Sequence, residues 1–267
     1  MKGRVLIVAG SDSGGGAGIQ ADIKTVTALS GFAATAVSAL TAQNTQGVFG
    51  VVGVDPDFIQ QQMRVVLDDI GADAIKTGML HNSEVIEAVS EVLESVPEIP
   101  TVVDPVMVAA SGHSLLEDDA VETLIRRLIP LARVITPNLP EAAKLLDGEP
   151  PTAAQMTDTA RALLALGPEA VLLKGGHLDG DRLTDVLATA EGDESFEDTR
   201  IDTPHTHGTG CTLASAIATG IAQDLALPQA VARARAYLRK AIAAAPGLGH
   251  GHGPVNHCVT VEPFDGP

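Results

Sequence analysis

Aromatic residues make up only 2% of this 267-residue sequence, with no tryptophan, one tyrosine and five phenylalanines. A core must therefore come from Ala, Val, Leu and Ile, which suits strands covered by helices on both faces. Cysteine is nearly absent too. Cys211 and Cys258 stand far apart, in no metal or disulfide spacing, which points to a reduced, cytoplasmic protein. No apolar run approaches the roughly 20 residues of a membrane span. A strand-like run begins at Val5 without a secretory cleavage pattern before it. Lysine is scarce, six in all, and 34 acidic residues against 17 Lys and Arg give a formal net charge of −17. Such a field repels nucleic acid and anionic membranes, so neither is expected as a partner. An anionic substrate would have to be held by a local device. The acidic, lysine-poor surface fits either a salty cytoplasm or an ordinary acidic enzyme.

What is present is an alternation of strand and helix. Strands are expected over residues 5–9, 74–80, 101–108, 134–136 and 170–175. Helices are expected over 17–30, 58–70, 83–96, 115–131, 140–146, 153–166, 209–224 and 228–245. Two hairpins are expected, one over 32–42 and 48–54, set apart from the main sheet, and one over 183–190 and 196–201. No linker or internal repeat divides the chain, so residues 1–267 read as one domain. Repeated β–α units predict an α/β fold with a mostly parallel central sheet, helices on both faces and a small β extension. Ligands in such sheets sit beyond the carboxyl ends of the strands, and the distinctive residues fall there.

Five constellations carry chemistry. The glycine-rich loop over residues 10–18 fits neither G-x-G-x-x-G nor a P-loop, since no Gly-Lys-Ser/Thr follows. It reads either as a ligand-approaching loop, flanked by Asp12 and Asp22, or as a tight strand–helix turn capped by Asp or Ser. His207-Gly208-Thr209-Gly210-Cys211-Thr212 opens a long Ala-rich helix, whose free N–H groups and dipole suit an anion. Cys211 in that first turn is expected to have a lowered pKa; the alternative is a glycine-rich cap over a buried Cys. Asn138 and Glu141 suit either water-mediated magnesium or a capping box. Lys174 ends an apolar strand and needs a phosphate or a carboxylate partner. Asp104 ends another strand and suits a metal–phosphate centre or a turn cap. A lysine, two acids and a helix-terminal anion hole at one sheet edge are the parts that phosphoryl transfer needs.

The strings AGSDSGGGAGIQAD, TAQNTQGV, KTGML, DPVMVAASG, TPNLPEA, LLKGGHL, HGTGCTLASAIA and GHGHGPVNH span nearly the whole chain. Together they resemble the hydroxymethylpyrimidine/phosphomethylpyrimidine kinases of the ribokinase-like superfamily. The resemblance implies two successive ATP-dependent phosphorylations, of 4-amino-5-hydroxymethyl-2-methylpyrimidine and of its monophosphate, in thiamine biosynthesis, and often a homodimer. It implies that Asp22, Gln43, Met79 and Val106 line the pyrimidine pocket. Asp104 and Glu141 would direct Mg²⁺, partly through water. Lys174 and Thr209 would hold the nucleotide, and Gly208, Gly210 and Cys211 the transferring group. Cys211 stands where many ribokinase-like sugar kinases carry an aspartate base. Thr203-Pro204-His205 departs from the pattern just before the anion hole. A pyridoxal-type vitamin kinase is the alternative, although relatives with that role often carry a Cys in the loop that here reads Ala109-Ala110-Ser111-Gly112-His113. A non-catalytic sensor of a thiamine precursor is a third reading. His250 and His252 read as a structural tail rather than a metal site.

Overall fold

Strand β1 (Arg4–Asp12) sends Leu6 and Val8 into one apolar cluster and Val5, Ile7 and Ala9 into another. That period of two is what a strand buried on both faces requires. In the computed structural model, which describes residues 1–108, 112, 115–117, 119–176, 178, 180–264 and 266, nine strands form one sheet. They are β1, β2 (Phe32–Asn44), β3 (Gly47–Gly53), β4 (Ala74–Thr77), β5 (Thr101–Val103), β6 (Val134–Ile135), β7 (Ala170–Leu173), β8 (Arg182–Thr189) and β9 (Gly192–Thr199). Their order is β3-β2-β1-β4-β5-β6-β7-β8-β9. The six strands from β2 to β7 are parallel, and β3, β8 and β9 add antiparallel edges.

One face carries helices α2 (Pro56–Asp69), α3 (Ser83–Glu94), α4 (Ala120–Thr123), α5 (Leu139–Leu145) and α6 (Met156–Leu164). The other carries α1 (Gly18–Ala28), α7 (Thr209–Ala222) and α8 (Leu227–Ala243). Alanine lets α7 lie close on the sheet: Ala214, Ala216 and Ala218 are fully buried. The starts of α2 and α3 are fixed locally, by Asp55 accepting from Asp57 and Phe58 N–H and by Asn82 accepting from Val85 N–H.

Four expectations need correction. The first hairpin is not set apart, because Phe32 to Val37 pair in parallel with β1 and only the distal part of β2 pairs with β3. The strand expected over 101–108 stops at Val103, since Pro105 offers no N–H to the ladder. The helix expected over 115–131 is broken. α4 passes into a π-turn at Leu124–Leu128 and a 3₁₀ turn at Ile129–Leu131, where Pro130 ends it. The last strand begins at Gly192 rather than 196, because backbone pairing with β8 carries its polar residues. The loop residues Ala109, Ala110, Ser111 and His113, and also His177, lie outside the described residues.

Candidate functional site

A cleft of about 720 Å³ opens along the carboxyl ends of the parallel strands. It is lined by Asp12 at the end of β1, Met79 after β4, Asp104 after β5, Asn138 after β6 and Lys174 after β7, with the start of α7 facing them. Gln43, Val106, Glu141, Gly208, Thr209, Gly210 and Cys211 also line it. Ten of the eleven residues proposed from sequence therefore reach one cleft.

The eleventh, Asp22, does not. It is fully buried on α1, and its carboxylate accepts from Lys76 Nζ at 3.0 Å to each oxygen and from Ser215 Oγ at 2.6 Å. Helical spacing turns it toward β4 rather than the cleft. Burial pushes the Asp22 carboxyl up against the pull of Lys76 and Ser215. Burial also works against the Lys76 ammonium, but Asp22, Cys211 and Asp104 more than offset it and the lysine is raised. The direct contacts mark an ion pair under the cleft floor. Lys76 itself reaches the lining beside Gly78.

At the β5–β7 end, Lys174 Nζ donates to Asp104 Oδ1 at 3.2 Å and stands 4.0 Å from Glu141 Oε2. Burial tends to lower the lysine, but Asp104 and Glu141 outweigh it and hold it charged. The carboxylate partner considered for Lys174 is thus present, within the cleft. Among the described residues, Asp104 caps no turn with its side chain. Its Oδ1 accepts from Thr136 Oγ1, while its buried Oδ2 has no hydrogen-bond partner among the described residues. Glu141 does complete a capping box, accepting from Asn138 N–H at 2.8 Å while Asn138 accepts from Glu141 N–H at 2.8 Å. Burial raises the Glu141 carboxyl, against the effect of Lys174.

The start of α7 faces this cluster. A methyl on Gly210 would meet Lys174 Nζ at 3.4 Å and the unpartnered Asp104 Oδ2 at 3.5 Å, filling the space between helix and carboxylate. Gly208, the residue before α7, has φ +81°, and any Cβ there would run into the Gly16 carbonyl. Helix geometry leaves the N–H groups of Gly210 and Cys211 without intrahelical acceptors. An orphaned carboxylate oxygen, a second carboxylate and a lysine fit Mg²⁺ held together with phosphates, since magnesium takes one or two carboxylates and keeps waters. Asp104 and Glu141 would hold it. Among the described residues no cluster of three or more ligating side chains exists, so the remaining ligands would be phosphate and water.

Cys211 departs from its expected chemistry. Burial pushes its thiol up to about 12, with Asp22 and Asp104 adding to the rise. Lys76 and the Gly18 N–H act in the opposite direction without winning. The helix-start effect is therefore overruled by desolvation and two carboxylates.

The glycine-rich loop is both a capped turn and a cleft wall. Asp12 accepts from the N–H groups of Gly14, Gly16 and Ala17, and lies 2.8 Å from His207 Nε2. Burial opposes the Asp12 carboxylate, but His207 and the Ala17 and Gly14 amides hold it below the usual carboxylate range. Gln43 Oε1 accepts from Thr41 Oγ1 at 3.2 Å, leaving its amide nitrogen 3.4 Å from His207 Nε2. Met79 packs against Gly10, 3.0 Å from where a Cβ would stand. Pro204 lacks an N–H, yet its carbonyl accepts from Thr206 N–H and lies 3.3 Å from His252 Nδ1. Sequence reasoning missed Lys76 and the His207–Asp12 pair. The argument applied to Lys174, a cation in an apolar strand, applies equally to Lys76.

The family model for phosphomethylpyrimidine kinase matches residues 12–256. The chain belongs to the phosphomethylpyrimidine kinase family. A hydroxymethylpyrimidine/phosphomethylpyrimidine kinase of Streptomyces coelicolor is 47% identical, over 95% of this chain and 93% of its own. The thiamine biosynthesis bifunctional protein ThiED of Geobacter sulfurreducens is 49% identical over 98% of this chain, which spans only 53% of that relative's length. Among solved structures, an ADP complex of Bacillus subtilis pyridoxal kinase superposes with a TM-score of 0.89 at 34% identity, covering 97% of this chain and 98% of its own. This phosphomethylpyrimidine kinase family member thus has the ribokinase-like fold expected of it. No helix among the described residues is long and apolar enough to cross a membrane.

Proposed function

We propose that this chain transfers the γ-phosphate of ATP to the hydroxyl of 4-amino-5-hydroxymethyl-2-methylpyrimidine, and a second to the resulting monophosphate, in thiamine biosynthesis. The observation that carries the reading is the meeting of Lys174, Asp104 and Glu141 with the glycine-lined start of α7 in one cleft. Phosphoryl transfer is catalysed mostly by positioning and charge stabilisation, and these groups supply both. Lys174 turns from Asp104 to the nucleotide phosphates. Thr209 lies beside them. The Gly208, Gly210 and Cys211 backbone faces the charge that builds on the transferring group. Asp104 and Glu141 would hold Mg²⁺, which would supply further neutralisation of phosphate charge.

At the other end, Gln43 meets the aminopyrimidine edge, and Met79 and Val106 pack on the ring. Asp22 acts from below, by holding Lys76. Cys211 carries its proton at neutral pH, so its part is to shape the anion hole. The acceptor alcohol keeps its own proton until late in a loose transition state and releases it to water or to the transferred phosphate.

Residues 1–267 act as one unit in the cytoplasm. The unit pairs as a homodimer through the β2–β3 edge, where Leu40, Phe49 and Val52 are 52%, 70% and 66% exposed. Sedimentation at micromolar concentration checks the pairing, and a monomer there refutes it. The activity is tested by coupled ADP release with the alcohol, its monophosphate and pyridoxal as acceptors. Both pyrimidines should be turned over. The pyridoxal kinase likeness favours a side activity on pyridoxal, at a lower identity than the pyrimidine kinases show. Turnover of pyridoxal alone would replace the reading, and turnover of none would remove it.

A further inference from the structure

The segment around His250 and His252 holds no metal cluster among the described residues, yet it is tied at both ends to the cleft. On one side it grips the turn between β2 and β3. Thr45 Oγ1 accepts from His250 N–H at 3.2 Å and Gly251 N–H at 3.3 Å, and the Thr45 carbonyl accepts from His252 N–H at 2.9 Å. Thr45 is two residues from Gln43. On the other side, the Gly253 carbonyl accepts from His207 N–H at 3.1 Å, and Pro254 bridges to His207. His207 immediately precedes Gly208 of the anion hole. The glycines make the approach feasible: a methyl on Gly251 would run into the Thr45 carbonyl, and one on Gly249 into its side chain.

We propose that residues 249–253 form a strap whose Gly251 and Thr45 are positioning residues for the acceptor. The strap fixes the Gln43 turn relative to the α7 start, and so sets the distance between the pyrimidine edge and the transferred phosphate. The inference rests on the reading of Gln43 as the pyrimidine contact. His252 lines the cleft where the strap crosses it. A displacement of about 1 Å in such a support can cost a hundredfold in rate, while Lys174 follows β7 and Glu141 lies on α5, which the strap does not touch in these contacts.

The test uses the full chain with Gly251→Ala and Thr45→Val, and Gln43→Ala as comparator. Thr45→Val keeps the shape and removes the acceptor of two N–H groups. Pyrimidine affinity is read by calorimetry and by KM, ATP affinity by KM, and folding by Tm. Gly251→Ala should raise the pyrimidine KM about tenfold or more, and Thr45→Val about threefold, in proportion to lost pairing at a polar edge. ATP KM should stay within about twofold, the pattern of Gln43→Ala. Equal rises for both substrates, unchanged pyrimidine affinity, or a fall in Tm alone would overturn the proposal. If Gly251→Ala does not fold, Thr45→Val decides alone, and an unchanged pyrimidine KM there refutes it. If the unaltered chain binds no pyrimidine, the functional reading fails first and the strap's role falls with it. If the unaltered chain binds pyrimidine and Gln43→Ala leaves that unchanged, only the assignment of Gln43 is at fault and the strap proposal is overturned.

Discussion

Alkylation of Cys211 gives the sharpest test of how burial governs the cleft. With its pKa pushed up to about 12, the thiolate fraction at pH 8 is about 10⁻⁴, against roughly a quarter for an ordinary thiol near 8.5. That difference alone slows reaction about two-thousandfold. A more basic thiolate is also more nucleophilic, with a Brønsted slope of about 0.4–0.5, which restores roughly 25-fold to 55-fold. The expected net effect is a rate about 40-fold to 80-fold below that of a solvated cysteine. The exposed Cys258 serves as the reference inside the same chain. Iodoacetamide labelling followed by mass spectrometry from pH 7 to 10 reads both sites. The Cys211 rate should still rise about tenfold per pH unit at pH 10. Labelling of Cys211 as fast as Cys258 at pH 8, or a plateau below pH 9, would refute the reasoning and restore a resting thiolate. The kinetic counterpart is Cys211→Ser in single-turnover assays. A shaping role predicts the same slowing for the alcohol and the monophosphate. A loss confined to the alcohol step would identify a base, because only that acceptor must shed a proton during attack.

Lys174→Ala should weaken ATP and slow turnover by about 1.5–3 kcal/mol, the worth of a charge-assisted phosphate contact; unchanged ATP kinetics would place it outside the site. Lys76→Met leaves the Asp22 carboxylate buried without its cation and should cost about 3–5 kcal/mol of stability in urea titration; a loss under about 1 kcal/mol would mean Asp22 takes up a proton at little cost. His257, buried and hydrogen-bonded to Thr212 Oγ1 at 3.0 Å, is lowered to about 4 by burial and then by Lys24. Its folded pKa lies below the unfolded value of about 6.5, so the unfolded chain binds the proton first. Its contribution is full above pH 6.5 and is lost as pH falls toward 4, a slope that His257→Asn should flatten. Molar KCl should raise Tm if repulsion within the −17 charge opposes folding, because the Debye length shrinks to about 3 Å; a flat or falling Tm would refute a salt adaptation.

The layout of the cleft was legible because strand ends carry it. Asp104, Lys174 and Asn138 each follow a run of apolar residues, and parallel topology brings such ends to one edge. The anion-hole helix was legible from its glycines, which no strand or helix interior would favour. Asp22 was misread because facing depends on rotation about α1, which turns its carboxylate to Lys76 of β4 instead of the cleft. Cys211 was misread because local sequence shows the helix start but not the burial of the thiol, nor the carboxylates of Asp22 and Asp104, which arrive from distant elements. The broken helix at residues 124–131 was hidden by a pattern apolar enough to suit either geometry.

An acidic chain that binds a triphosphate has to separate local charge from global charge. Among the described residues, six of the 17 Lys and Arg line the cleft: Lys76, Lys144, Lys174, Arg200, Arg235 and Arg239. They stand with five carboxylates, Asp12, Asp104, Glu141, Asp185 and Asp198. The lining is therefore near neutral, while the rest of the chain carries the surplus of negative charge. All five carboxylates already have partners, Asp12 with His207, Asp104 and Glu141 with Lys174, and Asp185 and Asp198 with Arg235. Glu141 is raised by burial and gives up part of its charge easily. A polyanion entering the cleft thus meets paired acids, several cations and the amide end of α7. Surface charge more than a Debye length of about 8 Å away is screened at physiological salt. Short-range groups decide binding there, and the net charge acts mainly on solubility and on the rate of approach.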